Sequence, residues 1–258
     1  MTVIPKKSLG QHFLVDENIL GVAGRLADLG SEDVVLEVGA GLGVLTAYLA
    51  ERVELVHAVE IDRGLESHLR DRLVGHDNVE LTFGDALTLP LASLDPPPNK
   101  LVANLPYQIA TPLVAESLDG LPTVDLWCVM VQREVADRFF AVPGTKSYGA
   151  VSVLLQLTAE RAGLHPVART VFRPPPNVDS ALVAFRRTRR WGPEFEHVKE
   201  VVQGAFAHRR KTLVNSLELA RGGRAEAEAA VAKLGQPASV RAEALAPEQL
   251  LELAELLP

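Results

Sequence analysis

A chain of 258 residues with 47% hydrophobic and 23% charged residues has the composition of an ordinary globular protein, not a disordered or fibrous one. It is long enough for one large α/β domain and a small appendage, since domains commonly run about 100 to 200 residues. A net charge of −7 argues against diffuse attraction to bare nucleic acid, and a single cysteine, Cys128, excludes an intramolecular disulfide and a multi-cysteine zinc site. No basic, apolar leader opens the chain and no apolar run approaches the roughly 18 to 20 residues of a membrane helix. A cytoplasmic, non-membrane protein without a bound metal is therefore expected.

In chain order, short runs rich in Val and Leu recur at Val34 to Val38, Leu55 to Val59, Val79 to Phe83, Lys100 to Ala103 and Leu126 to Val131. Helix-length amphipathic stretches such as Leu42 to Arg52 and Arg63 to Val74 lie between them. Buried strands alternating with helices predict an α/β fold: a parallel sheet with helices on both faces. Cys128 falls in the last of these runs and reads as an inert core thiol. A further strand, Ser180 to Arg187, follows the turn Pro174, Pro175, Pro176. From Pro193 onward the pattern is helical, with helices predicted over Glu194 to Leu219, Arg224 to Leu234 and Pro247 to Leu257. The predicted division is thus 1–187 for the α/β domain and 188–258 for a small all-helical domain. Residues 1–187 hold 16 Lys and Arg against 23 Asp and Glu, and residues 188–258 hold 10 of each. The excess acid lies in front, and the basic residues are clustered at Lys6 and Lys7, at Arg186, Arg187, Arg189 and Arg190, and at Arg209, Arg210 and Lys211. Such runs also occur as ordinary solvated element ends.

The motif Leu36-Glu37-Val38-Gly39-Ala40-Gly41-Leu42-Gly43 leaves the first strand of the set and enters a helix. The first strand-to-helix turn of such a sheet is where a nucleotide-like ligand approaches the backbone. A dinucleotide fingerprint would place glycine at position 44, where this chain has Val44, so the spacing is G-x-G-x-G. Taken alone the loop is also compatible with a structural turn. Glu60 ends the next strand, where a carboxylate can accept from two ribose hydroxyls, and Asp85 ends the third, where it can accept from an adenine amino group. Three successive strand ends with ligand-competent residues point to an adenosine-bearing cofactor. The fourth strand ends in Asn104-Leu105-Pro106-Tyr107. An exocyclic adenine nitrogen is a poor nucleophile, because its lone pair is delocalised into the ring. The Asn104 side-chain oxygen and the Leu105 carbonyl could each accept one amine hydrogen and localise that pair, Pro106 would stiffen the turn, and Tyr107 offers a ring on which a base stacks.

These motifs occur with Lys7-Ser8-Leu9-Gly10-Gln11-His12-Phe13-Leu14, with Phe172-Arg173-Pro174-Pro175-Pro176-Asn177-Val178-Asp179-Ser180 and with Phe206-Ala207-His208-Arg209-Arg210-Lys211-Thr212-Leu213. In this order, down to Arg241-Ala242-Glu243, the chain resembles the small-subunit (16S) ribosomal RNA adenine N6,N6-dimethyltransferases, the kasugamycin-sensitivity enzymes. The resemblance implies a Rossmann-like class I methyltransferase sheet and S-adenosyl-L-methionine as cofactor. It puts cofactor contacts on His12, Leu14, Gly39, Gly41, Glu60, Asp85 and Asn104, and the chemistry on Asn104, Leu105, Pro106 and Tyr107, with Phe172 packing on the target base opposite Tyr107. It implies dimethylation of two adjacent adenosines in a small-subunit rRNA hairpin, within a partly assembled small ribosomal subunit, by a monomer whose C-terminal helices dock the particle. The chain departs from many members at His12 and Gln108, where they carry Asn. Other readings are a large-subunit rRNA adenine methyltransferase of the antibiotic-resistance type, disfavoured by the Phe206 to Leu213 motif, a non-catalytic RNA-binding assembly factor, disfavoured by Asn104, and a dinucleotide oxidoreductase, disfavoured by Val44.

Overall fold

A computed structural model describes residues 5, 6 and 9–258, so the Lys7-Ser8 start of the N-terminal motif lies outside the described residues. The elements in order are β1 (Phe13–Leu14), α1 (Glu17–Leu26), β2 (Val34–Val38), α2 (Val44–Ala50), β3 (Leu55–Glu60), α3 (Glu66–Arg72), β4 (Val79–Phe83), β5 (Lys100–Asn104), α4 (Ala110–Gly120), β6 (Leu126–Gln132), α5 (Arg133–Phe139), α6 (Ala150–Thr158), β7 (Ala159–Val167), β8 (Phe172–Arg173), β9 (Ser180–Arg187), α7 (Glu194–Ala207), α8 (Leu213–Arg221), α9 (Arg224–Lys233) and α10 (Pro247–Leu256). Among the described residues no helix is long and apolar enough to cross a membrane.

The strands form a seven-stranded sheet in the order β4-β3-β2-β5-β6-β9-β7, with β1 and β8 making a separate two-stranded ribbon. The pairs β2–β3, β3–β4, β2–β5 and β5–β6 are parallel. The five strands expected to pair in parallel do so, and the further strand β9 makes the sheet mixed, running antiparallel to β6 along its whole length, Leu126 opposite Arg186 and Gln132 opposite Ser180. β7 was not anticipated, because Glu160 to Pro166 has no strand-like alternation and is mostly exposed or half-buried. The sheet is clad on both sides because both faces of its central strands are apolar. Ile19, Leu20 and Ala23 of α1, Leu45 and Leu49 of α2 and Leu69 of α3 share one core with Val35, Val56, Val102, Cys128 and Met130. Trp127, one residue out of phase with Cys128, turns to the other face, where its Nε1 donates to Ser117 of α4 at 2.9 Å. Cys128 is fully buried, and burial pushes its thiol up to about 12, as suits an inert core residue.

The chain falls into two compact units, residues 1–136 with 160–187, and residues 137–159 with 188–258. The first unit ends at Arg187, and 137–159 groups with the C-terminal helices. Tyr148, fully buried, donates its hydroxyl to Leu245 O at 2.9 Å, and Gly144 N donates to Glu243 O at 2.7 Å. These are tertiary ties between segments far apart in sequence. The helix predicted over Glu194 to Leu219 is in fact two, α7 and α8, separated by a turn closed by Lys211 N on His208 O at 2.8 Å, with Thr212 capping α8 through Asn215 N. No Gly or Pro marks this break, and the turn leaves Arg209, Arg210 and Lys211 exposed. The other basic run is partly structural. Arg187 caps the end of α4, donating to Leu118 O and Val124 O at 2.6 Å and to Leu121 O at 3.0 Å, and Arg189 lies over the Trp191 ring.

Candidate active site

β2 and β5 lie side by side at the centre of the sheet, where the strand order reverses. The loops leaving their C-terminal ends therefore diverge and open a crevice. On the β2 side, Gly39, Gly41 and Gly43 have φ of 84°, 57° and 74°, the left-handed region that disfavours residues with a Cβ. Gly39 N and Ala40 N both donate to Val59 O, at 2.8 and 3.2 Å, and so fold the turn onto β3. A Cβ on Gly39 would stand 3.1 Å from Pro106 Cδ, and one on Gly41 3.3 Å from the Phe13 ring. Glycine at 39 thus lets the β2 loop meet the β5 loop, and glycine at 41 lets it meet the N-terminal segment.

Glu60 braces this loop from β3. Its Oε2 accepts from Gly41 N at 2.8 Å and its Oε1 from Asp62 N at 2.9 Å. Each carboxylate oxygen retains a further acceptor site. Asp62 is 5% exposed; burial would raise its carboxyl, but hydrogen bonds from Lys6, Gln11 and Gly64 N outweigh it and hold the group below the usual range. Glu37, in the middle of an entirely buried strand, is 1% exposed. Desolvation pushes its carboxyl up to about 8, the Glu60 charge adds to the rise and the neighbouring Thr46 hydroxyl moderates it. Its Oε2 lies in no hydrogen bond. No role was assigned to Glu37 from sequence, although a carboxylate amid Val34, Val35, Leu36 and Val38 was a visible anomaly.

On the β5 side, Leu105 N donates to Met130 O at 3.1 Å and Ile109 N to Pro106 O at 3.1 Å, which fixes both ends of the Asn-Leu-Pro-Tyr turn. Asn104 Nδ2 donates to His12 O at 3.3 Å. That bond leaves the Asn104 side-chain oxygen and the Leu105 carbonyl without a donor among the described residues. Tyr107 Oη bonds Ser180 Oγ at 2.7 Å; burial raises its phenol and the Ser180 bond moderates the rise. The His12 ring stacks on Tyr107, centroids 5.7 Å apart at 30°. Its Nδ1 contacts Pro174 O at 2.7 Å; since a carbonyl only accepts, Nδ1 carries the proton.

One open cleft joins these parts. Of the candidate residues, His12, Leu14, Gly39, Gly41, Glu60, Asn104, Leu105, Pro106 and Tyr107 all line it. Asp85 does not: its Oδ1 accepts from Leu87 N at 3.0 Å, although Gly84 N on Glu60 O at 2.9 Å keeps the β4 end beside the β3 end. Phe172 does not either. It is 2% exposed within the core, because its register opposite Leu14 in the β1–β8 ribbon turns its ring inward and Arg173 outward. The expected aromatic pair is therefore not presented together in this structure. Gln11, Asp62 and Ser180, which sequence reasoning left without a role, owe their positions to contacts with residues far away in the chain.

A family model for ribosomal RNA adenine dimethylase matches residues 5–257. A Rubrobacter xylanophilus protein named ribosomal RNA small subunit methyltransferase A is 47% identical over 249 residues, 96% of this chain and 94% of that protein. Among solved structures, a dimethyladenosine transferase from Plasmodium falciparum superposes with a TM-score of 0.73 at 25% identity, covering 94% of this chain and 96% of that one. The 23S rRNA methyltransferase ErmE gives 0.66 at 31% identity over 95% and 99%. With a glycine turn, a braced carboxylate and an Asn-Leu-Pro-Tyr turn converging on one cleft, and a family match over nearly the whole chain, the protein belongs to the ribosomal RNA adenine dimethylase family.

Proposed function

We propose that the protein dimethylates N6 of two adjacent adenosines in a hairpin of small-subunit rRNA, using S-adenosylmethionine, during assembly of the small subunit. The observation that carries this reading is that the Asn104–Tyr107 turn and the glycine loop with Glu60 open into one cleft. The cofactor supplies a methyl group already activated on a positively charged sulfur. The residues fit such a group: Gly39 and Gly41 let the loop pack tightly on Pro106 and Phe13 at the cleft, Glu60 has acceptor sites left for ribose hydroxyls, and the unpartnered Oε2 of Glu37 suits a cationic ligand. His12 and Leu14 would close the cofactor site from the N-terminal segment, and Asp85 would meet the adenine from the neighbouring strand end.

The chain's own chemistry is positional. Asn104 Oδ1 and Leu105 O each accept one hydrogen of the adenine amine and draw its nitrogen toward tetrahedral geometry, where the lone pair can attack. Pro106, packed on Gly39, keeps that turn rigid beside the cofactor loop. Tyr107 offers a stacking face worth about 1 to 3 kcal/mol to a base swung out of its helix. Phe172 would join it only if the β1–β8 ribbon re-packs. The alkylated amine loses its extra proton to water, so no strong base is needed. The net charge of −7 favours a shaped particle over naked RNA as substrate, and the exposed Arg209, Arg210 and Lys211 turn is the part of the helical unit suited to phosphate contact. The protein would act as a cytoplasmic monomer.

The test is transfer of labelled methyl from S-adenosylmethionine to naked RNA, immature small subunits and large subunits, with nucleosides resolved by mass. Dimethyladenosine in immature small subunits is expected. Asn104→Ala should lower the rate about 100- to 1000-fold while the protein stays folded. Preference for large subunits, or near-normal turnover by Asn104→Ala, would overturn the reading.

A further inference from the structure

One wall of the cleft is the N-terminal segment, from which Leu9 to Leu14 all face the cavity. It is held from both ends. At its far end, Phe13 and Leu14 pair with β8, and Val15 N donates to Val171 O at 2.9 Å. Nearer the start, among the described residues, side chains alone tie it to the domain. Gln11 Nε2 donates to Asp62 Oδ2 at 2.9 Å, and Lys6 Nζ to Asp62 Oδ1 at 2.6 Å. Gln11 Oε1 in turn accepts from Lys6 N at 2.8 Å, so the two donors brace one another.

An ion pair at the surface ordinarily contributes little. This one differs, because the Asp62 side chain is 4% exposed and Oδ1 also accepts from Gly64 N at 2.9 Å, whereas Lys6 is 53% exposed. The carboxylate is thus built into the turn after β3 before the N-terminal segment reaches it. That turn is the one that holds Glu60, whose Oε1 accepts from Asp62 N. The strand pairing is only two residues long, and His12 adds contacts to Pro174 O and Asn104 Nδ2; before His12 the Asp62 clasp is what holds the wall in place, and local attachments of this kind open independently of the core.

We propose that Asp62 is a positioning residue for cofactor binding: through Lys6 and Gln11 it clasps the N-terminal segment against the glycine loop and Glu60, and so closes the cleft. This rests on the reading of the cleft as the S-adenosylmethionine site. The clasp leaves the reacting atoms alone. Its loss therefore lowers the fraction of molecules competent to bind cofactor and leaves turnover of the bound complex unchanged.

The experiment compares the full-length parent with Lys6→Glu, Lys6→Arg and Asp62→Asn. Three readouts are needed: S-adenosylmethionine affinity by calorimetry, hydrogen exchange at the amides of residues 9–12 without ligand, and kcat at saturating cofactor. If the wall is formed in about a tenth of the variant molecules, the dissociation constant rises about tenfold. We expect that rise, with faster exchange and unchanged kcat, for Lys6→Glu and Asp62→Asn, and parental behaviour for Lys6→Arg. Lys6 is exposed, so its charge reversal reports on the clasp even if Asp62→Asn folds poorly. Unchanged affinity and exchange in Lys6→Glu, or a loss confined to kcat, overturns the inference. A parent protein that binds no S-adenosylmethionine instead fails the underlying reading of the cleft, and the inference with it.

Discussion

Glu37 offers a direct physical test of the cleft, by substitution with glutamine. Glutamine matches the protonated carboxyl in shape but cannot ionise. In the folded protein the Glu37 carboxyl is raised from 4.5 to about 8, first by desolvation and then by the Glu60 charge. The unfolded chain releases this proton near the ordinary glutamate value, while the native state holds it to about 8. Native Glu37 therefore binds more protons than unfolded Glu37 across this window, and stability falls as pH rises through it. The slope is about 1.4 kcal/mol per pH unit. Between pH 5 and pH 8 the parent should lose up to about 4 kcal/mol that Glu37→Gln keeps. The assay is urea unfolding of both proteins from pH 5 to pH 9, plotted as the difference so that other titrating groups cancel. The expected curve rises in favour of Glu37→Gln through pH 8 and flattens above it. A flat difference across the whole range would refute the reasoning, since it would mean that Glu37 is solvated or paired in the native state.

Further outcomes concern the same cleft and the helical unit. If a cationic ligand supplies the missing partner of Glu37, S-adenosylmethionine affinity in the parent rises with pH up to about 8 and is flat in Glu37→Gln, as calorimetry at several pH values would reveal. Glu60→Ala leaves Gly41 N and Asp62 N without their acceptor and should weaken cofactor binding by about 1.5 to 3 kcal/mol; equal binding by the variant would remove Glu60 from the site. Tyr107→Phe loses only the bond to Ser180 and should retain most activity, whereas Tyr107→Ala loses the stacking face and about 1 to 3 kcal/mol of base binding, read as a higher KM for subunits. Reversing the charge of Arg209 and Arg210 should impair methylation of small subunits without changing cofactor affinity; intact methylation would show that the α7–α8 turn does not dock the particle.

The strands β2 to β6, the glycine turn and the Asn-Leu-Pro-Tyr turn could be read from the chain itself, because each is a local matter. Apolar runs of strand length mark buried strands, glycines at 39, 41 and 43 permit a left-handed turn and a proline at 106 fixes its φ, wherever they occur. The motif order identified the family for the same reason, since sequence order is what a motif records. What long-range contacts decide was not legible there. Whether Phe172 faces a base or the core depends on its register against Leu14, 158 positions away in the chain. That 137–159 joins the C-terminal helices depends on Tyr148 reaching Leu245, and Arg187 became a cap for α4 rather than a docking charge because β9 runs antiparallel beside β6. Glu37 was visible as a charge in an apolar strand, but its ionisation is set by how completely the packed sheet and helices exclude water, and Asp62 became an anchor only when the fold brought Lys6 and Gln11 to it. Local patterns define which backbone shapes are open to a segment, whereas burial and partnership are properties of the assembled core, where residues distant in sequence compete for the same space and the same hydrogen bonds.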